Sequence, residues 1–245
     1  MEPLFLVLGF LGFIAFAVST VASGGGALIL VGTLGSLIPS NAIAPVVHLG
    51  NFLGRPSRVW IFRKHIRWDI VLYYLPSAIL GGFIGAYFFA HLELEWVIPI
   101  IAIFLISTPF QYRFGKKKQA FSMSLWMFVP LGLIVSFVSS LIGATGMVLN
   151  PFYLNAGVSK EELIGTKAVN SFVVGLVQVG TYASFGLLDG VKLYYGLSIG
   201  IGALVGNFVG KRWLTKISDK RFLQLVILLM FITGCLMLVN YFTGE

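Results

Sequence analysis

The residues best suited to chemistry in this chain fall in two matched clusters. His48, Asn51, Arg55 and Arg58 recur at helical spacing, and so do Lys167, Asn170, Ser171 and Gln178. On a helix, each set shares one face. Lys167 supplies a positive charge, and Thr166, Asn170 and Ser171 supply neutral donors beside it. Such a face suits a small oxyanion, with Lys167 as its electrostatic counterion. His48 and Asn51 occupy the matching positions of the first cluster, where His48 is a candidate proton carrier. Two other readings stay open: Lys167 can snorkel to a membrane interface, and His48 can simply bond a backbone carbonyl.

Upstream of each cluster lies a glycine-rich break, Ser23-Gly24-Gly25-Gly26 in one case and Gly143-Ala144-Thr145-Gly146 in the other. Glycines at such density disfavour a continuous helix. A short helix starting at each break presents unpaired N–H groups and the positive end of its dipole. Ser23, Gly24, Gly25 and Gly26, facing Ala144, Thr145 and Gly146 across one cavity, would hold an anion by the physics of any helix N-terminus. The competing reading is that these glycines serve close helix packing.

The elements that must position these residues are read from apolarity. The chain has 245 residues, of which 58% are hydrophobic and 11% charged. A soluble domain carries about 25% charge, so the composition is that of a multi-pass membrane protein. Apolar runs occur at about 3–22, 26–38, 42–63, 69–90 and 94–112, and again at 122–142, 145–156, 161–186, 190–210 and 222–242. Helices are expected throughout, because lone strands cannot pair their backbone in lipid. The second run of each set is too short to cross a bilayer, which needs about 20 residues. Each half is therefore expected to contain a broken, re-entrant helical hairpin. Pro56 is expected to kink or end its helix.

The two sets repeat one another. Leu72, Tyr73, Tyr74, Ser77, Gly81 and Gly85 return as Leu193, Tyr194, Tyr195, Ser198, Gly202 and Gly206, a constant offset of 121. Ser19, Gly26, His48 and Asn51 are matched by Ser139, Gly146, Lys167 and Asn170. The Ser-Gly-Gly stripes are expected to be helix seams and the tyrosines to pack at span ends. Asp69 and Asp189 are expected to cap helix starts. The fold expected is all-α and polytopic, with about 8 spanning helices and two homologous halves, residues 1–118 and 119–245. A solvated linker at Lys116-Lys117-Lys118 joins them.

Charge orients the halves. The formal charge is +8, but the basic residues crowd into Arg55 to Arg67, Arg113 to Lys118 and Lys211 to Arg221. Such loops face the cytoplasm, so the basic balance reports topology and not a nucleic-acid partner. Equivalent loops carry opposite signs: Arg63, Lys64 and Arg67 precede the first Leu-Tyr-Tyr, whereas Asp189 precedes the second. The repeats are therefore expected to be inverted, with both termini outside, in the inner membrane of a prokaryote. Met1-Glu2-Pro3 has no basic n-region, so the first run reads as a retained helix. The single cysteine, Cys235, has no intrachain disulfide partner.

Duplicated apolar halves with broken helices mark secondary transporters, whose substrate sites lie where two repeats meet. An intramembrane enzyme would need a nucleophile with its base, or a metal cluster. The chain has no His-Glu-x-x-His and three histidines in all. No cofactor or metal is expected. A passive anion channel is the alternative within the same broad class, and it would need a continuous polar pore.

In the order of its motifs the chain resembles the TauE/SafE family of sulfite and organosulfonate exporters. The likeness rests on a glycine-rich break before a short apolar helix, at Ser23–Gly26 and Gly143–Gly146. A polar helix follows each break, from Val47 to Arg58 and through Gly165-Thr166-Lys167-Ala168-Val169-Asn170. A Gly-xxx-Gly span and a final helix complete each half. The second break reads Ala144-Thr145-Gly146 where the family often has three glycines. The resemblance implies export of a small sulfur-containing anion across the cytoplasmic membrane. Its expected partners are that anion, membrane lipid, protons as a candidate coupling ion, and a second copy if the carrier is oligomeric.

Overall fold

The computed structural model describes residues 2–21, 23–24, 26–34, 37–89, 99, 102–103, 106–107, 109–110, 121–142 and 148–243. Among them are helices and turns and no strand. The helices are α1 (Glu2–Val21), α2 (Gly26–Leu34), α3 (Ser40–Phe62), α4 (Trp68–Phe89) and α5 (Phe128–Ile142). They continue as α6 (Asn150–Asn155), α7 (Lys160–Ser184), α8 (Gly190–Leu214) and α9 (Asp219–Thr243). The expected run at 94–112 falls mostly outside the described residues, as do the Lys116–Lys118 linker and the break at Gly143–Gly146.

Four helices among the described residues are long and apolar enough to cross a bilayer: α1, α4, α7 and α8. The chain is thus a multi-helix membrane protein. At 23 residues, α3 is about 34 Å long and could span by length. Its polar face lowers its apolarity instead. Pro56 does not end it, and neither does Pro45; α3 stays helical to Phe62. The basic loop therefore begins at Arg63, and Arg55 and Arg58 lie inside a helix, contrary to the loop expected from Arg55 to Arg67.

α7 starts with a capping box. Glu162 N–H donates to Ser159 Oγ at 3.3 Å, and Ser159 N–H donates to Glu162 Oε2 at 2.7 Å. With Glu161 and Glu162 in its first turn, the helix start is pinned in the polar region just before Lys167. Asp189 stands at the N-cap position of α8, but its side chain does not cap; it pairs with Lys192 at 3.4 Å. The Asp69 carboxylate closes on Arg67 at 2.6 and 2.9 Å.

The Ser-Gly-Gly stripes are seams, as expected. A side chain at Gly81 or Gly85 of α4 would strike the Leu133 or Phe137 carbonyl of α5. One at Gly202 or Gly206 of α8 would strike the Gly9 or Phe13 carbonyl of α1. In both seams the residue numbers rise together, so α4 runs parallel to α5 and α8 parallel to α1. α3 and α7 instead cross antiparallel. Phe52 stacks on Phe172 with ring centroids 5.1 Å apart, while Gly165 lies under the Phe62 carbonyl.

Two cores result. Leu8, Leu30, Leu34, Val46 and Ile199 join α1, α2, α3 and α8. Tyr74, Phe128, Tyr153 and Leu163 join α4, α5, α6 and α7. Each half thus lends its fourth helix to the core of the other. Outward-facing Leu72, Leu80, Phe83, Ile201, Val205 and Phe208 are exposed and apolar, as a lipid-facing surface requires. Trp60, Trp68 and Trp213 are exposed beside the basic loops, where an aromatic belt sits.

Candidate functional site

Between the two cores, where α3 crosses α7, lies a cavity of about 80 Å³. A single water needs about 10–15 Å³ of such space, so there is room for a small ion. α3 contributes His48, Asn51, Arg55 and Arg58; α7 contributes Lys167, Ser171 and Gln178. Ser19, Ser23 and Gly24 close it from the end of α1, and Ser136 and Ser139 from α5. Tyr74 also lines it. That tyrosine is fully packed and lies 3.3 Å from Ser136 Oγ, so it is not the span-end residue the sequence suggested. Among the described lining residues there is no aspartate or glutamate.

The two matched residues, His48 and Lys167, both point inward and both reach into the opposite half. The Lys167 ammonium donates to the Ser23 carbonyl at 2.5 Å and to Asn150 Oδ1. Lys167 is 8% exposed, which removes the snorkelling alternative. His48 Nε2 lies 2.8 Å from the Ser139 carbonyl, which requires that nitrogen to carry the proton. The His48 ring also packs on Tyr182, with centroids 5.6 Å apart. The carbonyl-bonded reading of His48 is thus the observed one.

At the first break, Ser23 has φ +52° and Gly24 has φ +145°. Ser23 Oγ donates to Asn150 Oδ1 at 3.4 Å. Gly24 N–H turns back to the Ser19 carbonyl at 2.9 Å, so this amide is committed to closing α1 and does not lie open. Gly26 presses on α1, where a side chain would meet the Ala15 carbonyl at 2.5 Å. Gly25, Ala144, Thr145 and Gly146 lie outside the described residues.

Two polar residues of α7 are turned away from the cavity. Thr166 Oγ1 accepts from the Arg67 backbone N–H at 2.9 Å, tying α7 to the start of α4. Asn170 Nδ2 donates to the Tyr153 hydroxyl at 2.7 Å, and its Oδ1 is buried with no partner among the described residues. Ser171 and Asn51 do line the space.

Sequence reasoning put the arginines on the right helical face but left them out of the predicted site. Arg55 lines the cavity and makes no hydrogen bond or ion pair to a described residue. It lies within electrostatic range of His48, Arg58 and Lys167. Arg58, one turn on, is held by Asn207 Oδ1 at 2.8 Å and Thr20 Oγ1 at 3.0 Å. The signal was present: both continue the helical face that His48 and Asn51 begin. Three basic side chains and a histidine surround this space with no carboxylate on its described walls. A charge inside an apolar span costs roughly 2.5–3.5 kcal/mol on insertion scales. Buried cations of this kind favour an anion beside them.

The sulfite exporter TauE/SafE family model matches residues 8–237, nearly the whole chain. The chain belongs to the TauE/SafE family of sulfite exporters. No curated protein and no solved structure matches it. TauE/SafE proteins are transporters and not enzymes, and the lipid-facing apolar helices described above accord with that class. In this TauE/SafE protein the described walls of the space between α3 and α7 carry cations and no carboxylate.

Proposed function

We propose that this chain is a secondary transporter that exports a small sulfur oxyanion or sulfonate across the cytoplasmic membrane, using the α3–α7 cavity as its site near the bilayer midplane. The observation that carries this reading is the set Arg55, Arg58 and Lys167 around one small space with no acidic residue on its described walls. Arg55 is the primary anion ligand, because its guanidinium is uncommitted. Asn51 and Ser171 stand beside it as neutral donors. The two halves, 1–118 and 119–245, act as inverted repeats. The antiparallel crossing of the equivalent helices α3 and α7, and the reciprocal exchange of α4 and α8, support that arrangement. Rocking of one packed core against the other would then expose the cavity to each side in turn.

The test is anion flux into proteoliposomes against sulfite, sulfate, thiosulfate, sulfoacetate and taurine. Compact anions are expected to move fastest. Taurine is expected to be slow, because its ammonium group would meet Arg55 and Lys167 with no described carboxylate to receive it. Arg55→Met is expected to reduce flux at least about a hundredfold, equal to some 2.7 kcal/mol, and Arg55→Lys to retain part of it. A membrane-inserted Arg55→Met protein with wild-type flux would remove the cavity from the transport path.

A further inference from the structure

Asn207 lies outside both polar clusters of the sequence, yet it is fully buried at the meeting of α1, α3 and α8. Its amide is entirely committed. Nδ2 donates to the Gly54 carbonyl at 2.7 Å and to Ser57 Oγ at 2.9 Å. Oδ1 accepts from Arg58 Nη2 at 2.8 Å and from Arg58 Nε at 3.1 Å. The opposite orientation would set the NH₂ group against the guanidinium, so the partners themselves assign the amide. The rest of the clasp around Arg58 is also neutral. Nη2 reaches Thr20 Oγ1 at 3.0 Å, Nη1 reaches Ser19 Oγ at 3.5 Å, and the guanidinium carbon lies 5.5 Å from the centre of the Phe16 ring.

We propose that Asn207 is a positioning residue for the transported anion: it fixes the Arg58 fork in the cavity wall without neutralising it, so that the positive charge stays available to substrate. Hydrogen bonds to neutral acceptors hold the guanidinium in place without cancelling its charge. A carboxylate in the same place would form a charge-assisted fork with Arg58 and compete directly with the anion. It would also set an oxygen against the Gly54 carbonyl and could not donate to Ser57. Asparagine is therefore the residue type that both orients the cation and keeps it usable. The inference rests on the anion-transport reading above and adds to it a residue that need not touch the substrate.

The experiment measures sulfite-dependent thermal stabilisation of the purified full chain in detergent, alongside sulfite flux in proteoliposomes. Asn207→Asp is expected to need at least about tenfold more sulfite for half-maximal stabilisation and for half-maximal flux. A purely structural asparagine would shift the unfolding temperature and leave that concentration alone, so an unchanged half-saturating concentration overturns the proposal. Should Asn207→Asp fail to fold, Arg58→Gln decides, since it removes the charge while leaving a planar amide on that side of Asn207. It is expected to show the same tenfold weakening, and wild-type sulfite dependence in that variant also overturns the proposal. A wild-type protein that no oxyanion stabilises and that moves none would sink the transport reading itself, and this inference with it. A responsive wild type with an unaltered Asn207→Asp would sink only the role of Asn207, whereas an unaltered Arg58→Gln would also take Arg58 out of the anion site.

Discussion

Aligned across the repeat, α3 places His48 and Asn51 where α7 places Lys167 and Asn170, but Arg55 and Arg58 correspond to Val174 and Val177. The shared pair behaves alike in space. His48 bonds the Ser139 carbonyl in the last turn of α5, and Lys167 bonds the Ser23 carbonyl just past the end of α1. Each thus brings a basic side chain to the carbonyl end of the other half's first helix, where positive charge is favoured. The unshared pair is where the halves part company. On the proposed reading, the matched positions give a symmetric frame, and the guanidinium groups of α3 supply most of the charge that an anion would meet.

The all-or-none test of this comparison is sidedness. If equivalent helices run in opposite senses through the membrane, a cysteine at Lys64 and one at Gly190, each at the approach to its half's fourth helix, should differ completely. In a Cys235→Ser background, an impermeant thiol reagent should label Gly190→Cys in intact cells and Lys64→Cys only after lysis. Labelling of both from one side would end the inverted-repeat model.

A smaller effect separates the matched pair. Lys167→Met keeps the bulk of the stem and removes the charge, taking its donor from the Ser23 carbonyl and leaving Asn150 Oδ1 with Ser23 Oγ. Sulfite flux is expected to fall at least about tenfold, or some 1.4 kcal/mol, with part retained by Lys167→Arg. Normal flux from a well-expressed Lys167→Met would show that the lysine merely holds the hairpin turn.

The smallest effect is expected at His48. Glutamine can still donate to the Ser139 carbonyl, so His48→Gln should lower flux by no more than about threefold, a few tenths of a kcal/mol. Its flux should also keep the wild-type dependence on pH between 6 and 8, because the proton on Nε2 is already committed. A flattened pH profile in this variant would instead make His48 the proton carrier and separate its role from that of Lys167 further than the geometry does.

Much of the frame was legible in the sequence because lipid leaves few choices. Runs of apolar residues of spanning length become helices, and small residues repeating every four positions become seams, as Gly81 and Gly202 do. The matched polar positions were also readable. Facing was harder. At 3.6 residues per turn, Asn170 lies about 60° around α7 from Lys167, enough to carry it to Tyr153 and off the cavity. Arg55 and Arg58 were legible on the helical face of His48 and Asn51, but as charges they were also counted with Arg63, Lys64 and Arg67 and stood beside Pro56. A basic stretch with a proline reads as a loop. Helical phase carried the better information, and net charge drowned it. Asn207 gave no signal, because it sits within a glycine stripe whose evident purpose is close packing.

The exchange of fourth helices has a consequence for how the chain is made. The face of α1 that holds Gly9 and Phe13 is completed only by Gly202 and Gly206 of α8, near the far end of the sequence. During synthesis, the first half enters the membrane with that face unfilled, and α4 waits in the same way for α5. Assembly therefore cannot proceed half by half. It resembles the closing of a clasp, in which the last long helices to emerge lock the first one in place.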